Sequence, residues 1–356
     1  MKLGILGNGL TSLTLAQSLV KNGIFVDIFS NQKNFDINKS RTVGVSKKNI
    51  DFFNKEILNI EKFLWKIKQI DIYSENLKDE KVLNFQNKDH ALFAMIKNFE
   101  LQKKLFLNLK KNKFCNFKKE KFEANSNLKK YNLIINCDNE NLITKKIFYK
   151  KLKKKYNSKA FTTIIKHKKI KNDIATQIFT KKGPLAFLPL SESETSIVYS
   201  VKGNENIDLK RLVKKYNSKY TILNFAKIAS FELRSSNLRS YYYKNILAFG
   251  DLLHRLHPLA GQGFNMTLRD INVLCELIKF RLNNGLELDQ SICQDFEKKT
   301  KHKNYLFSSG IDFVHEFFNL ESKMKNTILS KSVQLIGKNK FLNKSFEKIA
   351  NNGFQI

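Results

Sequence analysis

The sequence predicts an α/β protein in which a βαβ unit is interleaved with a second, β-rich part and followed by C-terminal helices. Three observations carry this prediction. Residues 3–29 read as strand, glycine-rich turn, helix and strand, residues 160–201 contain several strand-like runs, and the chain from about residue 291 has helical periodicity. With 356 residues, the chain is long enough for one large domain or two ordinary ones around a buried core.

The charge balance is strongly basic. The chain has 64 Lys and Arg against 32 Asp and Glu, a formal net charge of +32, which would attract nucleic acid, an acidic membrane surface or phosphorylated cofactors. The excess is mostly lysine and recurs with Asn, Ile and Phe throughout, so base composition explains most of it. The densest basic run, residues 150–155, is interpreted as a surface crossover; without a nucleic-acid-binding signature, no nucleic-acid partner is expected.

Cysteine and histidine spacing gives no metal motif. His254 and His257 fall in a turn with Asp251 rather than on a helix face, so no metal site is predicted. The four cysteines fit reduced thiols of a cytoplasmic protein: Cys115, Cys137, Cys275 and Cys293. Apolar stretches are far shorter than the roughly 18–20 residues of a membrane-spanning helix. We expect a cytoplasmic protein. Peripheral association with the inner face of the membrane is compatible with this expectation.

The first motif follows a short buried strand, Leu3–Leu6. The turn Gly7, Asn8, Gly9 opens an apolar helix, and a second strand covers residues 24–29. This is the setting of the dinucleotide fingerprint, in which Gly7 makes the tight turn and Gly9 lets a pyrophosphate approach the helix N-terminus. The alternative is an ordinary βαβ unit whose glycines serve packing.

Two positions depart from that fingerprint. Ser12 replaces the third glycine, and its small side chain still allows the helix to pack closely on the strand. Ser30 follows the second strand, where an acidic residue normally holds the ribose hydroxyls. Ser30 or Asn31 can hydrogen-bond a ribose, although more weakly than a carboxylate does.

The strongest motif covers residues 246–270. A buried strand runs into Gly250 and Asp251, and a Gly-Gln-Gly turn then leads into a helix beginning near Asn265. Gly250 allows close backbone approach, and Asp251 can accept hydrogen bonds from the ribityl hydroxyls of a flavin. The following helix N-terminus offers N–H donors and a positive dipole to the ring edge where negative charge develops on reduction.

This segment resembles the second FAD motif of the group A FAD-dependent aromatic hydroxylases, the para-hydroxybenzoate hydroxylase-like superfamily. It is most similar to the branch that acts in ubiquinone biosynthesis. The resemblance implies a Rossmann-like FAD-binding domain interleaved with a β-rich substrate domain. It also implies that several residues of this motif contact FAD: Gly250, Asp251, Pro258, Gly261, Gln262, Gly263 and Asn265.

Three further positions follow in the order of that family. Arg41 stands where the family has an arginine that approaches the cofactor phosphates, and Gln102 resembles a glutamine that contacts FAD. Asp138 remains from the middle motif, in which Asn136 and Asn139 replace glycines. Because Asn tolerates left-handed backbone, we expect this turn to persist. The loss of these glycines puts the expected reaction with NAD(P)H in more doubt than the binding of FAD.

The resemblance also implies a domain division. The FAD-binding domain is expected to be discontinuous, and the substrate domain fills its gaps. The expected ranges are 1–65, 95–155 and 240–290 for FAD binding, 66–94 and 156–239 for the substrate domain, and 291–356 for a C-terminal helical region. The Lys-rich end of that region can lie on an anionic membrane, or it can form a helix packed on the core with a solvated lysine face.

The resemblance implies an FAD-dependent monooxygenase that hydroxylates an aromatic ring, a polyprenyl phenol of ubiquinone biosynthesis, using O2 and a flavin hydroperoxide. NAD(P)H or another donor would reduce the flavin. No side chain is predicted as a catalytic acid or base. Two alternatives stay open: an FAD-dependent reductase of an isoprenoid substrate, and a catalytically weakened accessory subunit of a quinone-biosynthesis complex.

Overall fold

The structure is a computed structural model, which places most of the chain. It describes residues 1–30, 39–75, 81–86, 91–119, 122, 129–203, 207–256 and 262–324, with only the backbone at 314, 315 and 317–324. Of the expected cofactor residues, Pro258 and Gly261 lie outside these ranges.

The strands and helices are numbered in chain order. The described strands are β1 (Lys2–Leu6), β2 (Phe25–Phe29), β3 (Thr42–Ser46), β4 (Trp65–Ile67), β5 (Gln69–Ser74), β6 (Lys81–Gln86), β7 (Phe93–Lys97), β8 (Cys115–Lys118), β9 (Leu133–Asn136), β10 (Lys151–His167), β11 (Ile174–Thr180), β12 (Gly183–Pro189), β13 (Glu194–Lys202), β14 (Ile222–Phe225), β15 (Ala229–Leu238), β16 (Tyr242–Tyr243), β17 (Ile246–Ala248) and β18 (His254–Arg255). The described α-helices are α1 (Leu10–Lys21), α2 (Lys47–Phe52), α3 (Asn98–Lys110), α4 (Leu142–Ile147), α5 (Leu209–Tyr216), α6 (Gln262–Asn283) and α7 (Gln290–Met324). A π-helical turn, Phe53–Ile57, follows α2.

The first sheet contains the N-terminal βαβ unit. Within the described ranges it has six strands in the order β16-β17-β9-β1-β2-β8, and only the β16–β17 pair is antiparallel. β1 lies between β2 and β9, where Ile5 is level with Ile28 and Ile135. Because β1, β9 and β17 are parallel, their carboxyl ends meet at one edge of the sheet, which is where ligands bind in open α/β folds.

The second sheet is larger and mainly antiparallel. Within the described residues its order is β18-β15-β10-β13-β12-β11-β5-β6, with β14 paired to β10. A separate three-stranded sheet, β3-β7-β4, lies between the two parts. The basic run at 150–155 is not the expected crossover: Lys151–Lys155 forms the first half of β10 and pairs with β15 from Leu238 to Arg234.

The main core joins the six-stranded sheet to the helices. It contains Leu13 of α1, Leu105 of α3, Ile271 of α6 and Phe296 of α7, all of which are fully buried. A second cluster, which includes Tyr199 and Val213, packs α5 against the large sheet. The two clusters correspond to the two sheets, while the exact domain limits expected from the sequence stay a prediction.

The described helices include none that is long and apolar enough to cross a membrane. Helix α7 is long, but its sequence is rich in charged side chains along its first half.

Buried Asp27 in β2 provides a test of the sheet. Its carboxylate accepts hydrogen bonds from Lys2 Nζ (2.8 Å), Tyr131 Oη (2.7 Å) and Asn116 Nδ2 (3.3 Å). Burial alone would raise the pKa of Asp27, but these hydrogen bonds outweigh it and hold the pKa below its ordinary value of 3.8. Such a carboxylate stabilises the fold above its unfolded-state pKa, and this stabilisation is lost as pH falls through the folded-state pKa.

We therefore expect Asp27→Asn to lower the free energy of unfolding at neutral pH by about 1–2 kcal/mol. The difference from the native chain should shrink as pH falls below 3.8, which urea unfolding at a series of pH values would measure. Asp51→Asn, an exposed change on α2, is the control and should have little effect. A difference for Asp27→Asn that stays constant down to acid pH would contradict this account.

Candidate functional site

The glycine-rich turn after β1 leaves an open helix N-terminus. Gly7 has φ +99°, a left-handed conformation that favours glycine, and its N–H donates to the Phe29 carbonyl (2.8 Å). Gly9 is the N-cap of α1 and makes no side-chain cap, and a Cβ built on Gly9 would meet nothing within 4 Å. The first turn of α1 contains no acidic residue. Its free N–H groups and the helix dipole therefore face a space that suits an anion.

The middle motif lies directly against this turn. A Cβ on Gly7 would be 3.4 Å from Ser12 Oγ and 3.5 Å from Asp138 Cβ. The structure thus brings Asp138 to the turn of Gly7, Gly9 and Ser12, from which the sequence separates it by more than a hundred residues. Ser30 lies at the end of the neighbouring β2, and its N–H donates to the Lys118 carbonyl (3.1 Å).

Polar side chains hold the turn after β9 where the family pattern has glycines. Asn136 Oδ1 accepts from the Asp138 N–H (3.0 Å), and Asn136 Nδ2 donates to Thr144 Oγ1 (2.8 Å). Thr144 Oγ1 in turn donates to the Asp138 carbonyl (2.6 Å). Among the described non-glycine residues, positive φ occurs only at Asn157 and Lys244. The turn persists, as expected, but side-chain hydrogen bonds hold it. The expected left-handed backbone at Asn136 and Asn139 is not present.

Cys137 lies in the same turn but is poorly suited to be a nucleophile. Burial raises the pKa of its thiol to about 12, against a smaller opposite effect of a hydrogen bond with Ser12. The thiol is therefore protonated at neutral pH, and the thiolate is the reactive form.

The turn after β17 completes the edge of the sheet. Gly250 is buried with φ +64°, and a Cβ built on it would lie 2.7 Å from Thr11 Cγ2 in the first turn of α1. Asp251 follows with its side chain exposed. At Gly250 the backbone thus comes close to α1, as a glycine allows. This contact places Asp251, the next residue, beside the N-terminus of α1.

Gln102 and Arg41 reach this region from α3 and β3. Gln102 is buried, and its Nε2 donates to the carbonyl of Asn8 in the glycine-rich turn (3.1 Å). The Arg41 side chain is exposed, and its carbonyl accepts from the N–H of Asn98, the first residue of α3. Gln102 therefore holds the glycine-rich turn by a hydrogen bond to its backbone. Arg41 lies near the start of α3, the helix that contains Gln102.

Gln262, Gly263 and Asn265 lie in the first turn of α6, and the helix begins at least three residues earlier than the expected start near Asn265. The Asn265 side chain is buried and faces β3. Its Oδ1 accepts from the Ser46 N–H (2.9 Å) and Asn49 Nδ2 (2.8 Å), and its Nδ2 donates to the Gly44 carbonyl (2.8 Å). This side chain joins α6 to β3, so any contribution to a cofactor would come from its backbone.

We expect Asn265→Ala to destabilise the protein by about 3 kcal/mol, because it removes three hydrogen bonds and leaves buried backbone groups of β3 without partners. Urea unfolding measures the change. Asn272→Ala, on the same helix with an exposed hydrogen bond to Glu276, should cost no more than about 0.5 kcal/mol. Equal effects of the two substitutions would show that Asn265 does not hold β3.

A buried polar cluster joins residues of the motif 246–270 to α7. His254 Nε2 hydrogen-bonds Asp270, and Asp270 Oδ1 also accepts from Asn304 Nδ2 of α7 (3.0 Å). The Arg269 guanidinium stacks over Phe307, 4.4 Å from the ring centroid, and burial lowers its pKa to about 10, so it stays cationic. This cluster joins the loop after Asp251 to α6 and α7. The sequence analysis placed His254 only in the rejected metal grouping, and Arg269 and Asp270 only within the motif of residues 246–270.

The combined geometry fits a dinucleotide. Three strand-end turns, at Gly7, Asp138 and Gly250, meet at the uncapped N-terminus of α1, and the space at Gly9 is open. Sequence reasoning missed Thr144, whose hydrogen bonds hold the turn at Asp138, and Thr11, which packs against Gly250. No local signal identifies such residues, because their partners come from distant strands.

Comparisons with known proteins bear on the sequence resemblance and on the fold. No family model matches the chain. The chain is 26% identical over 157 residues to 3-demethoxyubiquinol 3-hydroxylase of Escherichia coli strain K12, a match covering 41% of this chain and 40% of the relative. It is 22% identical over 211 residues to the ubiquinone biosynthesis monooxygenase COQ6 of Schizosaccharomyces pombe, covering 46% and 44%. The chain thus matches less than half the length of these curated relatives.

Solved structures match over nearly the whole chain. p-Nitrophenol 4-monooxygenase PnpA of Pseudomonas putida DLL-E4 superposes with a TM-score of 0.81 at 11% identity, over 99% of this chain and 98% of that one. HpxO of Klebsiella pneumoniae, complexed with FAD and uric acid, has a TM-score of 0.75 at 12% identity, over 99% and 97%. These structures confirm the predicted fold class, and the curated relatives confirm the sequence resemblance to ubiquinone-biosynthesis hydroxylases.

Proposed function

Because the chain has the fold of FAD-dependent monooxygenases and resembles ubiquinone-biosynthesis hydroxylases in sequence, we propose that it is an FAD-dependent monooxygenase that hydroxylates an aromatic ring. The observation that carries this proposal is the meeting of three strand-end turns at the N-terminus of α1, where Gly9 leaves space for an anion. The names of the curated relatives support a polyprenyl phenol of ubiquinone biosynthesis as the substrate.

Each proposed cofactor contact follows from the position of its residue. Gly7 and Gly9 would let the pyrophosphate reach the N–H groups of α1, where the helix dipole favours negative charge. Ser12 and Asp138 would line the same turn, and Ser30 would meet a ribose in place of the usual acidic residue. Arg41, exposed beside the start of α3, would supply a cation to the phosphates.

The second motif would hold the other end of FAD. Asp251, exposed beside α1, would accept hydrogen bonds from the ribityl chain. The first turn of α6, with Gln262 and Gly263, would offer N–H donors to the ring. Pro258 and Gly261, outside the described residues, are proposed for the ring side on the motif alone.

The bound FAD would supply the activation of O2 and the transfer of oxygen, which no protein side chain provides. The protein's own part is to bind and orient the two molecules and to keep water away from the reacting ring. NAD(P)H is proposed as the electron donor. Peripheral association with an anionic membrane is proposed as the route to a polyprenylated substrate.

Product analysis tests this function. The purified, FAD-loaded protein with NADPH or NADH and a short-chain polyprenyl phenol should consume O2 and give a product one oxygen heavier by mass spectrometry, labelled when 18O2 is used. Reduction of an isoprenoid double bond without oxygen incorporation would identify a reductase. FAD binding without turnover of either kind, with several donors, would favour an accessory subunit.

A further inference from the structure

A surface groove of about 940 Å³ lies on the side of α7, and none of the residues that line it is assigned to FAD. One wall is α7, where Gln294, Lys298, Lys301 and Tyr305 follow helical spacing along a single face. The other wall is the segment from the end of β15 to β16, together with Leu152 of β10. The volume of the groove falls within the range of about 300–1,000 Å³ that is typical of small-molecule sites.

The groove has an apolar floor. Tyr241 is almost fully buried, and the half-exposed Leu152 and Tyr305 line the groove from opposite walls. Exposed apolar side chains of this size usually mark a binding surface when they share a concave site with aromatic rings. The floor suits a hydrocarbon chain.

Cations stand on both walls above this floor. Arg239 lies on the strand side, and Lys298, Lys301 and His302 lie on the helix side. Glu297 also lines the groove and is neutralised by Lys301 (2.6 Å), whereas Arg239 and Lys298 have no carboxylate within ion-pair distance in the described part of the chain. Two cations that line one apolar groove without ion-pair partners attract a carboxylate or a phosphate.

Asn237 stands where the strand wall of the groove meets α7. Asn237 Nδ2 donates to Ser308 Oγ (2.8 Å), while Asn237 Oδ1 is buried with no partner among the described residues. The Asn237–Ser308 hydrogen bond ties the strand wall of the groove to α7.

We propose that this groove binds an anionic amphiphile, a molecule with a carboxylate or phosphate head on an acyl or prenyl chain. The head lies between Arg239 and Lys298, and the chain lies along Leu152, Tyr241 and Tyr305. Residues 325–356 of this chain are a poor occupant, because they contain six lysines and one glutamate and would meet like charge. The site is independent of the proposed FAD chemistry.

Binding to the full-length protein tests the proposal. Dodecyl phosphate and laurate, as monomers below their micellar concentrations, should bind saturably by isothermal titration calorimetry, and both should bind at least tenfold more tightly than inorganic phosphate or neutral dodecanol. Vesicles of phosphatidylglycerol form a separate arm. Binding to vesicles as well as monomers identifies a bilayer lipid as a source, and binding to monomers alone identifies a free amphiphile.

The double variant Arg239→Gln/Lys298→Gln should weaken dodecyl phosphate binding by about tenfold or more, since it removes both charge-assisted contacts. The matched control is Lys299→Gln/Lys303→Gln, two exposed lysines of α7 that do not line the groove, and it should change affinity less than about twofold. Equal weakening by both variants, or equal affinity for inorganic phosphate, would reduce the effect to general charge and overturn the proposal. So would a lack of binding by all the amphiphiles.

Discussion

Gly9→Glu is expected to weaken FAD binding by at least about 100-fold while leaving the fold intact. A Cβ at Gly9 would meet nothing within 4 Å, so the new side chain has room. A carboxylate at the N-terminus of α1 interacts favourably with the helix dipole, and stability should stay equal or rise slightly. The same carboxylate occupies the space proposed for the pyrophosphate, and like charges held together cost several kcal/mol.

The measurement is a fluorescence titration of FAD together with urea unfolding of the same preparations. Gly9→Ala is the matched control: it adds bulk without charge, so it should fold normally and weaken FAD binding less than Gly9→Glu does. If Gly9→Glu binds FAD as tightly as the native chain, the pyrophosphate does not lie at this turn. If Gly9→Glu fails to fold, the inference that the space at Gly9 is open to a side chain is wrong.

The second large effect is expected at Gly250. Gly250→Ala combines two costs: a left-handed backbone, φ +64°, that alanine adopts with strain, and a Cβ only 2.7 Å from Thr11 Cγ2. Together they should lower the free energy of unfolding by about 3–5 kcal/mol. Displacement of Thr11 also distorts the first turn of α1, so FAD affinity should fall as well.

Gly285→Ala separates the two costs. Gly285 has nearly the same backbone, φ +66°, but a Cβ there would meet nothing within 4 Å. It should therefore show only the backbone strain, about 1–2 kcal/mol. Adding Thr11→Ala to Gly250→Ala should restore most of the difference, because it removes the methyl group that the new Cβ meets. Equal destabilisation at Gly250 and Gly285, with no rescue, would show that the contact with Thr11 is unimportant.

The sequence was most informative where local pattern and function coincide. Strand, turn and helix around Gly7 follow from apolar periodicity and glycine chemistry, and the motif at Gly250 follows from its fixed spacing. Both are local signals. The convergence of these turns on α1 follows once the strands are known to be parallel, because parallel strands end at one edge of a sheet.

Other features depend on partners that local pattern does not reveal. The four lysines among residues 151–155 resemble a solvated connection, and only the pairing of this segment with β15 makes it a strand. The turn at Asp138 was expected to need left-handed asparagines, but Asn136 and Thr144 hold it by hydrogen bonds. The burial of the Asn265 side chain depends on its hydrogen bonds to β3, which lies more than two hundred residues earlier in the sequence.

The central claim is that the edge formed by Gly7, Asp138 and Gly250 binds FAD. Titration of the purified chain with FAD tests it most directly, by flavin absorbance and quenching of flavin fluorescence. We expect saturable binding of one FAD per chain and a yellow protein after removal of free FAD. A colourless protein that shows no saturable change with added FAD would contradict the claim.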